Sequence, residues 1–289
     1  MVHTNKKNII FLHMPKAGGT TFNDVLKRQY NKDSIYEIDG YDQDASFDKL
    51  INLPDSEKEK INCVIGHQRY GAHSHMTKKF EYITILRDPV QRVLSDYYYM
   101  KLMSKGDISN YINSKHFTFE EYLNSNILPN ISNFQCRLIS GVKEPLMGMN
   151  LKPVPESCLE KAKRNLNNFL YVGLIENFDE NLIILRELLG WENIYYEKKR
   201  VNTLKPKEYE EKIIQMIREK NKLDIELYEY AKKTFEKSKL NYGKTLRSDL
   251  NKFQKVNKFL QLYYKARSLS KLPLKLKKRI RFSLKKFNN

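Results

Sequence analysis

One segment near the start constrains this chain more than any other. A hydrophobic run, Asn8-Ile9-Ile10-Phe11-Leu12-His13-Met14, stops at Pro15; Lys16, Ala17, Gly18 and Gly19 follow, then Thr20, Thr21 and a helical pattern over residues 22–30. A strand that turns through glycines into a helix brings free amide groups and the positive end of the helix dipole together on a phosphate-sized anion. Two adjacent glycines read alone are as well explained by an ordinary tight turn. Their place between the first strand and the first helix, with a lysine before and threonines after, favours the anion site. Glycine allows close backbone approach, threonine hydroxyls add donors and lysine supplies a mobile point charge. A nucleotide-kinase loop reads G-x-x-x-x-G-K-[ST], with its lysine after the glycines. Here the lysine precedes them.

Four further runs read as strands: 63–67, 82–87, 169–175 and 194–197. They are apolar or β-branched without strict alternation, as expected of strands buried on both faces. Helical patterns separate them, over 88–104, 118–125, 133–140, 157–166, 178–189 and most of 206–238. Asp88 and Pro89 suit a helix start, Thr118 and Glu121 have capping-box spacing, and Gly190 suits a left-handed helix end. Strands alternating with helices predict an α/β fold with a parallel sheet flanked by helices. Residues 103–117 and 141–157 carry loop signals.

The chain has 289 residues, enough for one large domain. It contains no apolar stretch of about 18 residues or more that would span a membrane, and its first run is too short for a signal peptide. Cys63, Cys136 and Cys158 are scattered, with no C-x-x-C pair, which points to a reducing compartment and no zinc site. The expected location is the cytoplasm. The formal charge of +18 is unevenly placed: Asp249 is the last acidic residue, and thirteen Lys or Arg fall in residues 252–289. A charge concentrated in a tail argues against a nucleic-acid-binding domain. The expected division is an α/β domain over 1–245 and a basic tail over 246–289. In the tail Leu272, Leu276, Ile280, Leu284 and Phe287 recur at helical spacing among cations. That pattern suits an anionic membrane surface or an acidic glycan; a helix packed on the domain, or simple disorder, would account for it too.

Two more constellations carry chemistry. Residues 82–99 deliver Arg87 to the end of a strand, with Ser95 two turns into the next helix. Arg87 and Ser95 can grip a phosphate, since guanidinium forks match its oxygens; an Arg-Asp pair at a helix start explains the same residues. His67 ends a strand, where side chains face the ligand crevice of an α/β sheet. It is a candidate general base or a structural histidine. His73 and His75 lie nearby, but no i, i+4 pair or acidic cluster supports a metal site.

Taken in order, residues 11–22, 65–71 and 83–99 resemble the sulfotransferases related to heparan-sulfate and uronyl 2-O-sulfotransferases, including bacterial members. The resemblance extends through 133–141 and 171–191 and covers about residues 8–203. It implies a P-loop-like fold, 3′-phosphoadenosine 5′-phosphosulfate (PAPS) as donor substrate, no metal and a carbohydrate acceptor. By the same resemblance Pro15, Lys16, Ala17, Gly18, Gly19, Thr20 and Thr21 hold the 5′-phosphosulfate, while Arg87 and Ser95 hold the 3′-phosphate. His67 is the catalytic base and Lys16 serves the leaving group. Arg69, Gln135 and Arg137 fall on the acceptor side. A basic loop after the last strand offers Asn202, or Arg200, to the donor; a solvated basic loop explains the same residues equally well. The expected activity is sulfuryl transfer to a carbohydrate hydroxyl by a cytoplasmic enzyme, with a lipid-linked acceptor and a peripheral site on the inner membrane as further expectations. The rivals are a P-loop kinase using ATP and Mg²⁺, and a basic nucleic-acid-binding protein.

Overall fold

A computed structural model describes residues 7–39, 42–102, 107–125, 129–142, 152–198 and 208–268. The chain begins with β1 (Ile9–Leu12), α1 (Gly19–Lys27), β2 (Ile35–Glu37), α2 (Gln43–Ile51), α3 (Asp55–Lys58) and β3 (Cys63–Gly66). It continues with β4 (Glu81–Leu86), α4 (Pro89–Leu102), α5 (Asp107–Ser114), α6 (Phe119–Asn124), α7 (Phe134–Ser140), α8 (Ser157–Asn167) and β5 (Tyr171–Leu174). The last four helices are α9 (Phe178–Leu189), α10 (Glu211–Lys220), α11 (Lys222–Tyr242) and α12 (Leu246–Ser268).

The five strands form one parallel sheet in the order β2-β3-β1-β4-β5. The residues of β1, β3 and β5 are all buried, which explains their unbroken apolar sequence. From β1 the chain moves out to β2 and returns through β3, then crosses to β4 on the other flank of β1. Ligands of open α/β sheets bind at the carboxyl ends of strands around such a reversal. Here β3, β1 and β4 are neighbours, with Leu12 opposite both Gly66 and Thr84.

The helix signals read from sequence are present. Asp88 Oδ1 accepts from the Gln91 amide (2.9 Å) and Pro89 opens α4. Thr118 and Glu121 form a full capping box on α6, and Gly190 ends α9 at φ 64°. Other features differ from expectation. Residues 107–114, expected in a loop, form α5. The short, half-exposed β2 had no periodic signal. Residues 194–197 are not a strand: Asn257 Oδ1 accepts from the Tyr196 amide (3.0 Å) and Gln261 Oε1 from the Lys198 amide (3.1 Å). Side chains of α12 thus satisfy backbone that a neighbouring strand would otherwise pair.

Helix α12 falls within the expected tail, yet Leu246, Phe253, Val256 and Leu260 are buried, and Gln254 donates to Asp179 of α9 (3.1 Å). Leu246 and Phe253 share the core cluster of the sheet. A boundary at 245 therefore separates helices that share one core. Leu272, Leu276, Ile280, Leu284 and Phe287 lie outside the described residues.

A buried polar junction joins α7 to α11. Asp224, fully buried, accepts from the amides of Gln135 (3.1 Å) and Cys136 (2.7 Å). In return Asn133 Oδ1 accepts from the amides of Leu223 (3.0 Å) and Asp224 (3.2 Å). Each helix start is satisfied by a side chain of the other. Burial raises the pKa of Asp224, opposed by the Arg92 charge and the amide hydrogen bonds. Asp224→Ala should destabilise the protein by about 2–4 kcal/mol, because two buried amides lose their acceptor. Denaturant midpoints measure this, and a change below 1 kcal/mol would contradict the assignment.

Candidate active site

The three constellations meet at the carboxyl ends of β3, β1 and β4. The turn after β1 is built on left-handed backbone, with Lys16 at φ 66° and Gly18 at φ 75°. A non-glycine residue in this region costs about 1–2 kcal/mol, so something must hold Lys16 there. Arg87 contributes, since its Nη1 donates to the Lys16 carbonyl oxygen at 2.7 Å. Gly18 precedes the first residue of α1, and the Thr21 and Phe22 amides both close onto its carbonyl (3.1 Å each). Gly19 has no room for a side chain: a Cβ there would lie 1.5 Å from His13 Nε2. The glycine pair is a cradle pressed against an imidazole.

His13 was not singled out in the sequence, although a histidine inside "FLHM" is a polar break in a strand and was visible. It is buried, stacks on Phe11 (centroids 5.4 Å apart, 12° between planes) and packs against His67 (4.1 Å, 33°). Burial, with the nearby His67 and Lys16 charges, holds the pKa of His13 well below its ordinary value. His67 itself is half-buried, and its Nδ1 lies 2.9 Å from the His13 carbonyl oxygen. A carbonyl can only accept, so Nδ1 carries the proton and Nε2 is left as the proton acceptor. Burial lowers the His67 pKa; the His13 carbonyl and the Asp96 carboxylate oppose that, and Lys16 adds to it. A neutral imidazole with a bare Nε2 is the form a general base requires.

Asp96 and Tyr99 carried no sequence signal as site residues. Asp96 is buried beside Ser95 and accepts from the Tyr122 hydroxyl (3.3 Å). The Lys16 ammonium sits 3.5 Å from the centroid of the Tyr99 ring. Arg87 and Ser95 are both half-buried.

The three residues expected on the acceptor side are engaged elsewhere. Gln135 is 1% exposed; its Oε1 accepts from the Arg87 amide (3.0 Å) and its Nε2 donates to the Arg87 carbonyl oxygen (2.9 Å). It grips Arg87 through the main chain and has no surface for a substrate. Arg137 is buried and donates to the Lys152 carbonyl oxygen (2.6 Å). Arg69 pairs with Asp44, its side chain 14% exposed. Arg200 and Asn202 lie outside the described residues. His73 packs edge-on against Tyr82 (5.3 Å, 82°) as part of an aromatic cluster with Tyr70. Among the described residues no group of three or more His, Cys, Asp or Glu is placed to hold a metal ion.

A cavity of about 580 Å³ opens beside the turn, lined by Gly18, Thr21, Ile175, Phe178, Tyr196 and Gln254 among others. Neither Lys16 nor His67 lines it, so it adjoins the turn without containing the candidate base. Its carboxylates are engaged: Asp179 accepts from the Tyr196 hydroxyl (2.7 Å), and Glu176 accepts from the Tyr228 hydroxyl (2.9 Å) and the Asp88 amide (3.1 Å).

The chain matches the model of a sulfotransferase family over residues 1–231. Heparan-sulfate 6-O-sulfotransferase 1 of Cricetulus griseus is 27% identical over 276 residues, covering 79% of this chain and 67% of that protein. The Homo sapiens protein of the same name is also 27% identical, with 79% and 65% covered. Uronyl 2-sulfotransferase of Homo sapiens is 30% identical over 189 residues, with 59% and 46% covered. The chain spans about two thirds of the 6-O relatives and under half of the uronyl relative.

The depressed imidazoles predict a pH dependence. Below about pH 6.5 the unfolded chain protonates both histidines while the folded one resists. The unfolded state then binds more protons, so stability falls with pH below that value and is flat above it. Thermal melts between pH 5 and 8 should show this, with a shallower slope in His13→Leu. An equal slope in that variant would show that His13 titrates normally.

Proposed function

The chain belongs to the sulfotransferase family, and on that premise we propose that it transfers a sulfuryl group from PAPS to a carbohydrate hydroxyl. The observation that carries the reading is the convergence of the Lys16–Thr21 turn, His67 and Arg87 on three adjacent strands. The turn fits a 5′-phosphosulfate: its glycines let the main chain approach, and Lys16 stands at its entrance. Arg87 and Ser95 would hold the 3′-phosphate. The neighbouring cavity, with Phe178 and Tyr196 in its wall, offers apolar rings for the nucleoside. The acceptor class comes from the relatives' carbohydrate chemistry.

In this reading His67 Nε2 takes the proton of the acceptor hydroxyl. The oxygen then attacks sulfur in line, a new S–O bond forms, and the bond from sulfur to the bridging oxygen breaks. Adenosine 3′,5′-bisphosphate leaves, with Lys16 neutralising the charge that builds on its 5′-phosphate. A positioned base contributes about 10²–10⁴-fold in rate. Adenosine 3′,5′-bisphosphate should raise the melting temperature without a divalent ion, and more than ATP with Mg²⁺ does. His67→Ala should keep that shift and lose transfer. A larger shift with ATP and Mg²⁺ would favour a kinase.

We place the protein in the cytoplasm, a reading supported by three buried free thiols, Cys63, Cys136 and Cys158. No described helix is long and apolar enough to cross a membrane. Peripheral contact with an anionic bilayer, which a lipid-linked acceptor would require, is supported by the outer face of α12. There Phe259 and Leu262 are 43% and 60% exposed, beside exposed Lys255 and Lys258. Substituting Phe259 and Leu262 by serine should reduce co-sedimentation with phosphatidylserine vesicles. Unchanged sedimentation would remove this face from the contact.

A further inference from the structure

We propose that Tyr99 is a positioning residue for the donor site, its ring serving as the platform that orients the Lys16 ammonium. The inference rests on the reading of Lys16 as the residue that meets the donor's 5′-phosphate. The Nζ atom lies 3.5 Å from the ring centroid, a close face-on approach. Tyr99 stands one helical turn after Ser95, so the two share a face of α4. One face of a single helix would then address both ends of the donor, Ser95 at the 3′-phosphate and Tyr99 through Lys16 at the 5′-phosphate.

Lysine needs such a device. Its four-carbon stem leaves the charge free to wander, and fixing it on binding costs rotamer entropy. The main chain of Lys16 is already fixed, at φ 66° with its carbonyl held by Arg87. The ring completes the arrangement at the other end of the side chain. A cation on an aromatic face keeps N–H donors on its far side, so the ring and an oxyanion can be served together. The ring therefore holds the ammonium ready, and the donor need not displace it.

The experiment uses the full chain and adenosine 3′,5′-bisphosphate, with dissociation constants from calorimetry. Lys16→Met comes first: if it leaves the affinity unchanged, the placement of Lys16 at the donor is wrong and the functional reading fails with it. If Lys16→Met weakens binding, Tyr99 is tested against it. Tyr99→Leu should weaken binding by about three- to tenfold, the scale of one cation–π contact. Tyr99→Phe, which keeps the ring, should bind within about twofold of the parent. In a Lys16→Met background, Tyr99→Leu should change nothing further, since its effect runs through the ammonium. Should Tyr99→Leu bind equally well or more tightly, the ring is not a platform and the proposal is overturned. An equal loss in Tyr99→Phe, or an additive double variant, overturns it as well. If Tyr99→Leu does not fold, the Lys16 side-chain proton shifts in the parent and in Tyr99→Phe decide. An upfield ring-current displacement of the ε-protons in both supports the platform, and ordinary lysine shifts refute it.

Discussion

The hydrogen bond from Arg87 Nη1 to the Lys16 carbonyl oxygen, 2.7 Å long, ties the site together. It connects the end of β4 to the turn after β1, and it holds a residue whose backbone would otherwise leave the left-handed region. Its own support is buried. Gln135 clamps the Arg87 main chain from both sides, and Asp224 caps the helix that carries Gln135. A chain of satisfied polar contacts thus runs from the start of α11 to the candidate anion cradle. Buried polar groups are costly when left unmatched, so such a chain has one arrangement rather than several. That is the rigidity a site needs if its charges are to be in place before a ligand arrives.

The electrostatics follow from this geometry. Lys16 approaches two histidines, which would repel it if charged. Burial keeps both imidazoles toward the neutral form, and the His13 carbonyl selects which nitrogen of His67 holds the proton. Asp96 offsets part of the burial, so the His67 pKa is depressed by less than desolvation alone would demand. The absence of a side chain at Gly19 is what admits the His13 ring. The bare Cα of Gly19 therefore allows close packing of the histidine whose carbonyl oxygen orients His67, and leaves the turn open to close approach.

Much of this was legible in the sequence, for reasons that can be named. The strand–turn–helix at residues 8–30 showed itself because glycines and a lysine interrupt an apolar run. Arg87 and His67 showed themselves because a buried parallel strand ends abruptly in a polar residue. Contacts made between distant elements were not legible. Gln135 and Arg137 looked like acceptor residues because they are polar and lie in a matched segment, yet a helix buried on all sides turned them inward. Nothing local distinguishes a glutamine that grips a backbone 48 residues away from one that faces solvent. Tyr99 was hidden in a run of three tyrosines, where only the fold selects the one that meets Lys16.

The segment over 194–198 carries the same lesson further. Residues 194–197 read as one more strand of a sheet buried on both faces, and their backbone does need partners. The fold meets that need with Asn257 and Gln261 of α12 rather than with a sixth strand. A helix that reads as the start of a basic amphipathic tail is thus the partner of the backbone at Tyr196 and Lys198. Tyr196 of that segment lines the cavity beside the cradle, and Gln254 of α12 lines the same wall. Leu250 and Gln254 of α12 wall this cavity together with residues of α1, α9 and the segment after β5, so the beginning of the basic segment helps to shape the space beside the turn.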